Sequence, residues 1–349
     1  MQRFTCVATA MIVIWCVPAA TAMEYTFIDL GTLGGARAIA TSINDTGQIV
    51  GHARDANGIG HAFRWTAQDG MMVLEMGTTP AWAYGVNDAG EVAGDFQREN
   101  GSLQAYAWTE TEGVVELPDF GGGHSAAFSV SNAGIVVGDA KLSNGESYAA
   151  LWDSDGAIHN LGTLPDGGSS TAYAVNDNGA VAGTASTAGE DIHAVIWNEN
   201  HQIQDLGTLG GRESFGLGMN DLGWVVGYSN SASTGYEAFI WKPSEGMTEI
   251  EIPATGPVYG YAVNNAGTVT GYVSGDTIRA FAWNDADGVT VLEGFGGTTI
   301  ARGINDAGWI VGEALGADDG YAHAVAWIPV PEPATLCLLI LGVLLTPRR

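Results

Sequence analysis

Apolar residues occur along this chain in short runs of strand length, each bounded by Gly, Asn or Asp. Between residues 81 and 120 the runs are AWAYGVN, EVAGDF, QAYAWT and VVELPDF, separated by turns or a variable loop. Runs of this kind predict four β-strands. Outside the two termini, no long stretch has the 3.6-residue apolar spacing of an amphipathic helix. The pattern therefore predicts an all-β protein.

The four-strand unit is repeated seven times, and two glycines mark each copy. The segment VNDAGEVAG at 86–94 carries both of them, four residues apart. The first, named the turn glycine here, is Gly47, Gly90, Gly134, Gly179, Gly223, Gly267 or Gly308. The second, named the strand glycine, is Gly51, Gly94, Gly138, Gly183, Gly227, Gly271 or Gly312. Successive turn glycines are 41 to 45 residues apart, which is the period of a repeat protein.

Each strand glycine is followed 12 to 15 residues later by a tryptophan that has an alanine three positions before it. The tryptophans are Trp65, Trp108, Trp152, Trp197, Trp241, Trp283 and Trp327. Four strands per unit of about 44 residues predict a seven-bladed β-propeller. A β-solenoid is the alternative, but tight reversing turns within each unit argue against it. Residues 25–31 resemble the segment that follows the Trp strand in the middle units, so we predict that they pair beside the last Trp strand and close the ring.

The repeated phrase has a local structural explanation. Asn87-Asp88-Ala89-Gly90 fits a type I turn in which glycine supplies the left-handed residue that rejoins the strands. The run that follows is apolar on both faces, which is typical of a strand buried on both sides. The strand glycine suggests a bulge or a close backbone approach. We therefore interpret the phrase as a hairpin and a buried strand, one per blade, and not as an active site.

Composition and charge narrow the classes of function. The chain has 349 residues, of which 46% are hydrophobic, so it can bury a sizeable core. Its 51 glycines agree with a turn-rich β protein. Residues 23–330 contain nine basic and 38 acidic residues and thus carry a formal charge of −29. This charge repels nucleic acids and anionic lipids, whereas divalent cations and neutral or cationic partners remain possible. Solubility of an exported protein is the simpler explanation of the charge.

No catalytic motif and no cofactor site is predicted. There is no nucleophile elbow, no HExxH and no Cys–His set. Residues 23–330 contain no cysteine, which removes disulfides, thiolate metal sites and a cysteine nucleophile. The 38 carboxylates leave acid–base catalysis open, because spacing along the chain does not reveal a cleft.

Three other patterns suggest ligands, but each has a structural explanation. LGTLGG resembles a phosphate-binding loop, yet a strand follows it instead of a helix, so we interpret it as a linker between blades. The aspartates of DSDG (153–156) and NDADG (284–288) resemble calcium ligands, but both lie at turns and lack the glutamate of an EF-hand. His61, His193 and His323 share one repeat position, which suggests metal ligands. They belong to the first, fourth and seventh units, so a ring of blades would keep them apart.

The N-terminal residues 1–22 have the parts of a secretory signal. Arg3 precedes an apolar run, and Ala20-Thr21-Ala22 resembles a cleavage site, so we predict processing after Ala22. A membrane anchor is the alternative, although the apolar run is short for a span.

The unit HAFRW (61–65), together with DLGTLGG and INDTGQIVG, resembles the bacterial extracellular HAF-repeat family. The resemblance covers nearly all of residues 23–329, although only the first unit has the full His-Ala-Phe. It implies an exported repeat protein and no catalytic residues.

The C-terminal residues 330–349 are similar to a PEP-CTERM sorting signal. Pro331-Glu332-Pro333 matches its motif, 336–345 its apolar stretch, and Arg348-Arg349 its basic end. The resemblance implies a Gram-negative host and recognition and cleavage by an exosortase. The apolar stretch would hold the tail in the inner membrane for a time, with the basic end in the cytoplasm. A permanent single-span anchor is the alternative, for which the stretch is short.

Together these features predict three regions: a signal peptide at 1–22, a propeller at 23–329 and a sorting tail at 330–349. We expect a monomeric, non-enzymatic protein, secreted or attached to the cell surface, that binds or scaffolds the extracellular matrix, with exopolysaccharide among the possible partners. The alternative is an exported enzyme that acts on polysaccharide through carboxylates at the central channel. The variable loops 52–60, 139–147 and 228–236 are the contact surfaces that the sequence suggests.

Overall fold

A computed structural model describes residues 23–77, 79–231, 235–316 and 319–330, and these residues form seven blades of four antiparallel strands. The first three blades are β2 (Gly34–Ile43), β3 (Ile49–Asp55), β4 (Gly60–Thr66) and β5 (Gly70–Val73); β6 (Ala81–Val86), β7 (Val92–Gln97), β8 (Leu103–Thr109) and β9 (Gly113–Glu116); and β10 (Gly121–Val130), β11 (Val136–Leu142), β12 (Ser147–Trp152) and β13 (Ile158–Asn160). The next three are β14 (Ser170–Val175), β15 (Val181–Ser186), β16 (Ile192–Trp197) and β17 (Ile203–Asp205); β18 (Gly210–Met219), β19 (Val225–Ser231), β20 (Tyr236–Lys242) and β21 (Gly246–Glu249); and β22 (Val258–Val263), β23 (Val269–Val273), β24 (Arg279–Asn284) and β25 (Gly288–Leu292). The seventh blade is β26 (Thr299–Ile304), β27 (Ile310–Leu315), β28 (Ala322–Pro329) and β1 (Tyr25–Gly31). The predicted all-β, seven-bladed propeller is confirmed.

The N-terminal strand closes the ring, as the sequence predicts. β1 pairs antiparallel with β28, and Phe27 lies opposite Trp327. The Phe27 ring also meets Phe295 edge-on, with 4.9 Å between centroids. A single parallel pairing of Arg37 with Ala322 then joins the seventh blade to the first. β1 therefore completes the seventh blade, and the chain continues from it into β2 of the first blade.

The hydrophobic core consists of seven clusters within the described residues, each lying between two neighbouring blades. The repeated tryptophans belong to these clusters, and Trp152, Trp197 and Trp327 are completely buried. Two of them also tie a blade to the one before it, since Trp152 Nε1 donates to the Pro118 carbonyl and Trp327 Nε1 to that of Glu293. Because every apolar face is shared by two blades, no blade can bury its own surface alone.

Both glycine positions have a geometric reason. The turn glycines all have positive φ, between 74° and 82°, as the type I turn with a left-handed residue requires. Each strand glycine faces a carbonyl oxygen of the preceding strand, and an added Cβ would lie 1.7 to 2.1 Å from that oxygen. No other residue fits this position without moving the backbone.

Several predictions from the termini fall outside the described residues. These are the processing residues Ala22, Pro331, Glu332 and Pro333 and the apolar segment 336–345. In the part of the chain that the structure describes, no helix has the length and apolar character needed to span a membrane. Near the two ends, the Val330 amide donates to the Glu24 carbonyl, with 2.8 Å between the atoms. The first and last described residues of the chain thus lie side by side.

Candidate functional site in the central channel

The seven repeated turns meet around one mouth of the central channel. This mouth, named the rim here, encloses a cavity of about 160 Å³ lined by the last residue of each first strand and the two turn residues that follow. At the first of these turn positions, six blades have asparagine and the third blade has Ser131. Each asparagine amide donates to the carbonyl of the same position in the next blade, at 2.7 to 3.2 Å. The last of these bonds runs from Asn305 back to Asn44 and closes the circle.

A second ring of hydrogen bonds uses the next turn residue. Its backbone N–H donates to the side-chain oxygen of the equivalent residue in the following blade, around all seven blades. Five of these residues are aspartates, and the other two are Asn132 and Asn265. Each of the two asparagine amides bridges the aspartates on either side, at 2.8 to 3.0 Å. These two rings of hydrogen bonds therefore connect neighbouring blades at the rim. This agrees with the interpretation of the repeated sequence, such as VNDAGEVAG, as a structural turn.

Asp45 is the exception on the rim because it has an aspartate on each side and no bridging amide. Burial raises the pKa of Asp45, and the charges of Asp306, Asp88 and Asp221 act in the same direction, against a hydrogen bond from the Asp306 backbone. The rim does not gather a metal site, since none of the described residues form a group of three or more His, Cys, Asp or Glu able to hold an ion.

Deeper in the channel, the first strand of every blade carries a β-bulge. In the second blade, Ala83 pairs with Gly94 and Gly85 pairs with Ala93, which leaves Tyr84 as the extra residue. The same shift recurs in all seven blades, and the bulge residues are Thr41, Tyr84, Phe128, Tyr173, Leu217, Tyr261 and Arg302. A bulge redirects the side chain of the extra residue. The seven bulge residues belong to five residue types, and some of them contact the bulge residue of the next blade, as Tyr84 contacts Phe128.

A second set of varied side chains follows the strand glycines. These post-glycine residues are His52, Asp95, Asp139, Thr184, Tyr228, Tyr272 and Glu313. Each lies directly opposite the alanine of the Trp strand, and that small residue leaves room for the larger neighbour. They lie about five residues along the strand from the rim, or about 16 Å at the usual rise. The bulge and post-glycine residues, together with the side chains that contact them, form the candidate site, which has three sectors.

The acidic sector lies on the second and third blades. Asp95 is 1% exposed, and its Oδ1 has no hydrogen-bond partner. Burial raises the pKa of Asp95 to about 7, and the charge of Asp139 adds to the effect. Burial also raises the pKa of Asp139, although the Ser147 hydroxyl donates to its Oδ2 and opposes the shift. Two carboxyl groups with raised pKa values therefore lie near each other at this end of the channel.

The aromatic sector covers the fifth and sixth blades. Phe215 stacks on Tyr228 with 4.7 Å between ring centroids, and Tyr259 stacks on Tyr272 at 4.9 Å. Tyr228 meets Tyr259 edge-on at 4.9 Å and so joins the two stacks. All four side chains are half-buried, and three of the four carry a hydroxyl group. A second row of rings, Tyr84, Phe128 and Tyr173, follows the bulges of the second to fourth blades.

The basic sector lies where the seventh blade meets the first. Glu313 is buried and accepts from Arg302 at 2.7 Å and from Arg37 at 3.4 Å. The Arg302 guanidinium also lies over the Tyr261 ring, 5.7 Å from its centroid. His52 lies on the adjoining strand of the first blade, and its Nδ1 is buried without a partner. The three sectors therefore differ in charge and in polarity.

The residues that the sequence raised as possible ligands do not come together. His61 contacts Asp55 at 3.3 Å, His193 contacts Asp205 at 2.9 Å and His323 contacts Asp29 at 3.0 Å, each pair on a different blade. The carboxylate of Asp153 accepts from amides of its own turn, and Asn284 does the same in its turn. LGTLGG at 206–211 connects two blades, as predicted.

The expected contact loops need a correction. β3 continues to Asp55, β11 to Leu142 and β19 to Ser231, so the first residues of the segments 52–60, 139–147 and 228–236 belong to strands. Those first residues, His52, Asp139 and Tyr228, are members of the candidate site. The sequence did carry a signal for it, because the residue after each strand glycine is the most varied position within a strongly repeated stretch.

Comparisons with known proteins support the fold. No protein-family model matches the chain, and no curated protein sequence matches it. The β-propeller domain of the trilobed protease from Pyrococcus furiosus, which has an open velcro topology, is similar with a TM-score of 0.59, 9% identity and coverage of 88% of this chain and 96% of that domain. TolB from Acinetobacter baumannii is similar with a TM-score of 0.52 and 15% identity over 72% of this chain and 65% of TolB. A puromycin hydrolase mutant has a TM-score of 0.57 and 12% identity over 89% of this chain and 55% of the hydrolase. At these identities the similarity shows only the propeller fold, and it assigns no activity to this chain.

Proposed function

We propose that this protein is an exported β-propeller, secreted or attached to the cell surface, that binds a polysaccharide of the extracellular matrix in its channel. The aromatic sector is the observation that carries the proposal. Half-buried Tyr and Phe rings offer flat apolar faces for the C–H groups of a sugar, while their hydroxyl groups and nearby polar residues match its own hydroxyls. The rim, which is repeated in every blade, holds the blades together. The bulge and post-glycine residues, which vary between blades, provide the selectivity for the ligand.

A glycan-binding measurement on purified full-length protein tests the proposal. Tyr259, which contacts Tyr228 and Tyr272, is the residue to change. We expect Tyr259→Ala to weaken binding about tenfold, because losing an aromatic contact of about 1.4 kcal/mol corresponds to that factor. Tyr259→Phe keeps the ring and should retain most of the affinity. Tyr321→Ala is the matched control, since Tyr321 is exposed and lies outside the channel.

The proposal fails if no neutral or acidic glycan binds the folded protein. It also fails if a glycan binds equally well to the parent and to Tyr259→Ala, because the aromatic sector would then not be the site. Circular dichroism of each variant checks that the propeller remains folded.

The same proposal places the protein on the exosortase pathway. The resemblance of 330–349 to a sorting signal and of 1–22 to a secretory signal supports export, cleavage after Ala22 and removal of the tail. Along the chain, both predicted cleavage regions lie outside β1 and β28, so their removal would leave these strands intact. Mass spectrometry of the surface form should detect residues 23 onward and no peptide from 336–349. Replacing Pro331, Glu332 and Pro333 by alanine should retain the protein in the inner membrane.

The acidic sector supports a second candidate, an enzyme that acts on polysaccharide through carboxyl groups. Asp95, with its pKa raised to about 7, would be protonated in part near neutral pH and could serve as a general acid. Asp139 would be the second carboxyl group. Release of reducing sugar or of an unsaturated product, abolished by Asp95→Asn while binding persists, would favour the enzyme over the binding protein.

A further inference from the structure

Positive charge is concentrated at one place in this acidic protein. Only nine basic residues lie between residues 23 and 330. Three of them, Arg37, Arg54 and Arg302, act electrostatically on His52 at the junction of the seventh and first blades. Glu313 offsets one of these charges through its ion pairs with Arg302 and Arg37. The group made of these arginines, His52 and Glu313, named the junction pocket here, keeps a charge of about +2 when His52 is neutral.

The junction pocket also contains polar atoms that lack a partner. Four buried side-chain atoms of the described residues make no hydrogen bond, and two of them are His52 Nδ1 and Arg302 Nε. Leaving such an atom unpaired is unfavourable, because it gives up its hydrogen bonds to water and gains none in return. Native proteins contain few of these atoms, so each one needs an explanation, and an ion or a water that completes its hydrogen bond is one such explanation.

His52 is a neutral hydrogen-bonding group in this setting. Burial and then the charges of Arg302, Arg37 and Arg54 lower the pKa of His52 to about 4. A neutral imidazole can carry its proton on Nδ1 and donate it. Arg302 Nε–H is a second donor, because a guanidinium has N–H donors and no acceptor. The pocket therefore offers two donors within a positive field, which is the chemistry that accepts a carboxylate.

The surroundings of Arg302 select the molecule that carries this carboxylate. The Glu313 ion pair and the Tyr261 ring fix the guanidinium, and the Tyr272 ring lies 5.8 Å from the Tyr261 ring. The Tyr261 and Tyr272 rings therefore provide apolar faces near the Arg302 guanidinium. The charge of −29 on residues 23–330 acts against anions at long range and is screened by salt, whereas the junction pocket acts on a uronate carboxylate at contact distance through its local positive field.

We propose that the junction pocket binds the carboxylate of a hexuronate unit in an acidic polysaccharide, with the sugar ring against Tyr261. This inference rests on the proposed function and names the class of glycan and the residues that select it. Arg302 and His52 hold the carboxylate, while the aromatic sector contacts the neighbouring sugars.

Calorimetric titration of the full-length protein with an oligogalacturonate and with a neutral galactan oligomer of the same length tests the inference. We expect the oligogalacturonate to bind at least tenfold more tightly. Arg302→Gln should remove this preference and leave the neutral oligomer unaffected. Arg302→Lys keeps a charge for Glu313 but lacks Nε, so it should lose most of the preference while folding normally. Arg212→Gln is the control, because Arg212 is an exposed arginine in an ion pair with Asp191.

Three results would overturn the inference. Equal affinity for the two oligomers is the first, and an unchanged preference in a folded Arg302→Lys variant is the second. The third is competition by inorganic phosphate at the same concentration as the oligogalacturonate, which would indicate a general anion site. If the neutral oligomer binds and Tyr259→Ala abolishes that binding, the proposed function stands even where this inference fails. If neither oligomer binds, this inference fails, and the proposed function then depends on whether any other neutral or acidic glycan binds the folded protein.

Discussion

The third blade interrupts the asparagine ring, and repairing it should stabilise the propeller. Ser131 stands where the other six blades have asparagine. Its hydroxyl accepts from the Ile135 amide at 3.3 Å, but no side-chain amide reaches the Asn176 carbonyl in the fourth blade. Ser131→Asn adds that donor. It also brings an acceptor that elsewhere holds the equivalent amide at 2.8 to 2.9 Å.

The size of the effect follows from one hydrogen bond gained and one shortened by the new side chain. A buried hydrogen bond contributes about 0.5 to 1.5 kcal/mol net to the free energy of unfolding. The bond to the Asn176 carbonyl is new, whereas the bond to the Ile135 amide is only improved, so we expect a gain of about 1 kcal/mol. With a denaturant dependence of about 3 kcal/mol per molar urea, the midpoint of unfolding should rise by about 0.3 M.

The reverse substitution provides the matched control. Asn305→Ser removes the bond to the Asn44 carbonyl, which is 3.0 Å long, and keeps a hydroxyl that can accept from the Trp309 amide. The midpoint should then fall by about 0.3 M, since the same bond is lost. Urea titrations followed by tryptophan fluorescence measure both changes. If Ser131→Asn lowers the midpoint, or Asn305→Ser leaves it unchanged, the asparagine ring does not contribute to stability as argued.

Three further changes test other parts of the fold. Gly94→Ala places a Cβ 2.1 Å from the Trp82 carbonyl oxygen, so we expect a loss of about 1 to 3 kcal/mol in urea titrations. Phe27→Ala removes ring contacts at the closure, including the one with Trp327, and should cost about 2 kcal/mol and expose β1 to limited proteolysis. The folded pKa of Asp95, about 7, lies above the unfolded value near 4, so the stability that it contributes is complete below about pH 4 and is lost as the pH rises through 7. That loss amounts to about 4 kcal/mol at most, and Asp95→Asn should flatten the dependence of unfolding free energy on pH.

Each of these predictions has an outcome that contradicts it. Gly168→Ala is the control for Gly94→Ala, because an added Cβ at Gly168 meets no atom within 4 Å, and equal losses would refute the steric argument. An unchanged cleavage pattern in Phe27→Ala would show that its ring does not hold β1. A pH profile for Asp95→Asn with the same slope as the parent would assign the titration to another group.

The sequence predicted the scaffold well because the features that define it are repeated. Seven copies of the turn glycine and the strand glycine determine where each hairpin turns and where strands approach closely. The resemblance of 25–31 to an internal segment was enough to locate the closing strand. The circle of hydrogen bonds at the rim could not be predicted in the same way. It depends on the distance between turns that are about 44 residues apart along the chain, and on how seven blades are arranged around an axis.

The candidate site was harder to predict for a related reason. A bulge is a property of two paired strands, and the sequence of one strand does not reveal which residue is the extra one. Tyr84 and Arg302 share no chemistry, so no motif connects them before the register is known. The unpaired Arg302 Nε and the low pKa of His52 depend on how the seventh and first blades pack against each other. These two blades are separated by most of the chain.

The invariant and the varied positions depend on each other. The strand glycine lets the preceding strand come close, and the bulge residue lies next to that contact. The alanine of the Trp strand leaves space for the post-glycine residue opposite it. The repeated residues therefore create two positions per blade at which a large or charged side chain costs the core little. Because the rim and the tryptophans hold the blades together separately, substitutions at Tyr272 or Glu313 can change what the channel binds without changing the residues that close the ring.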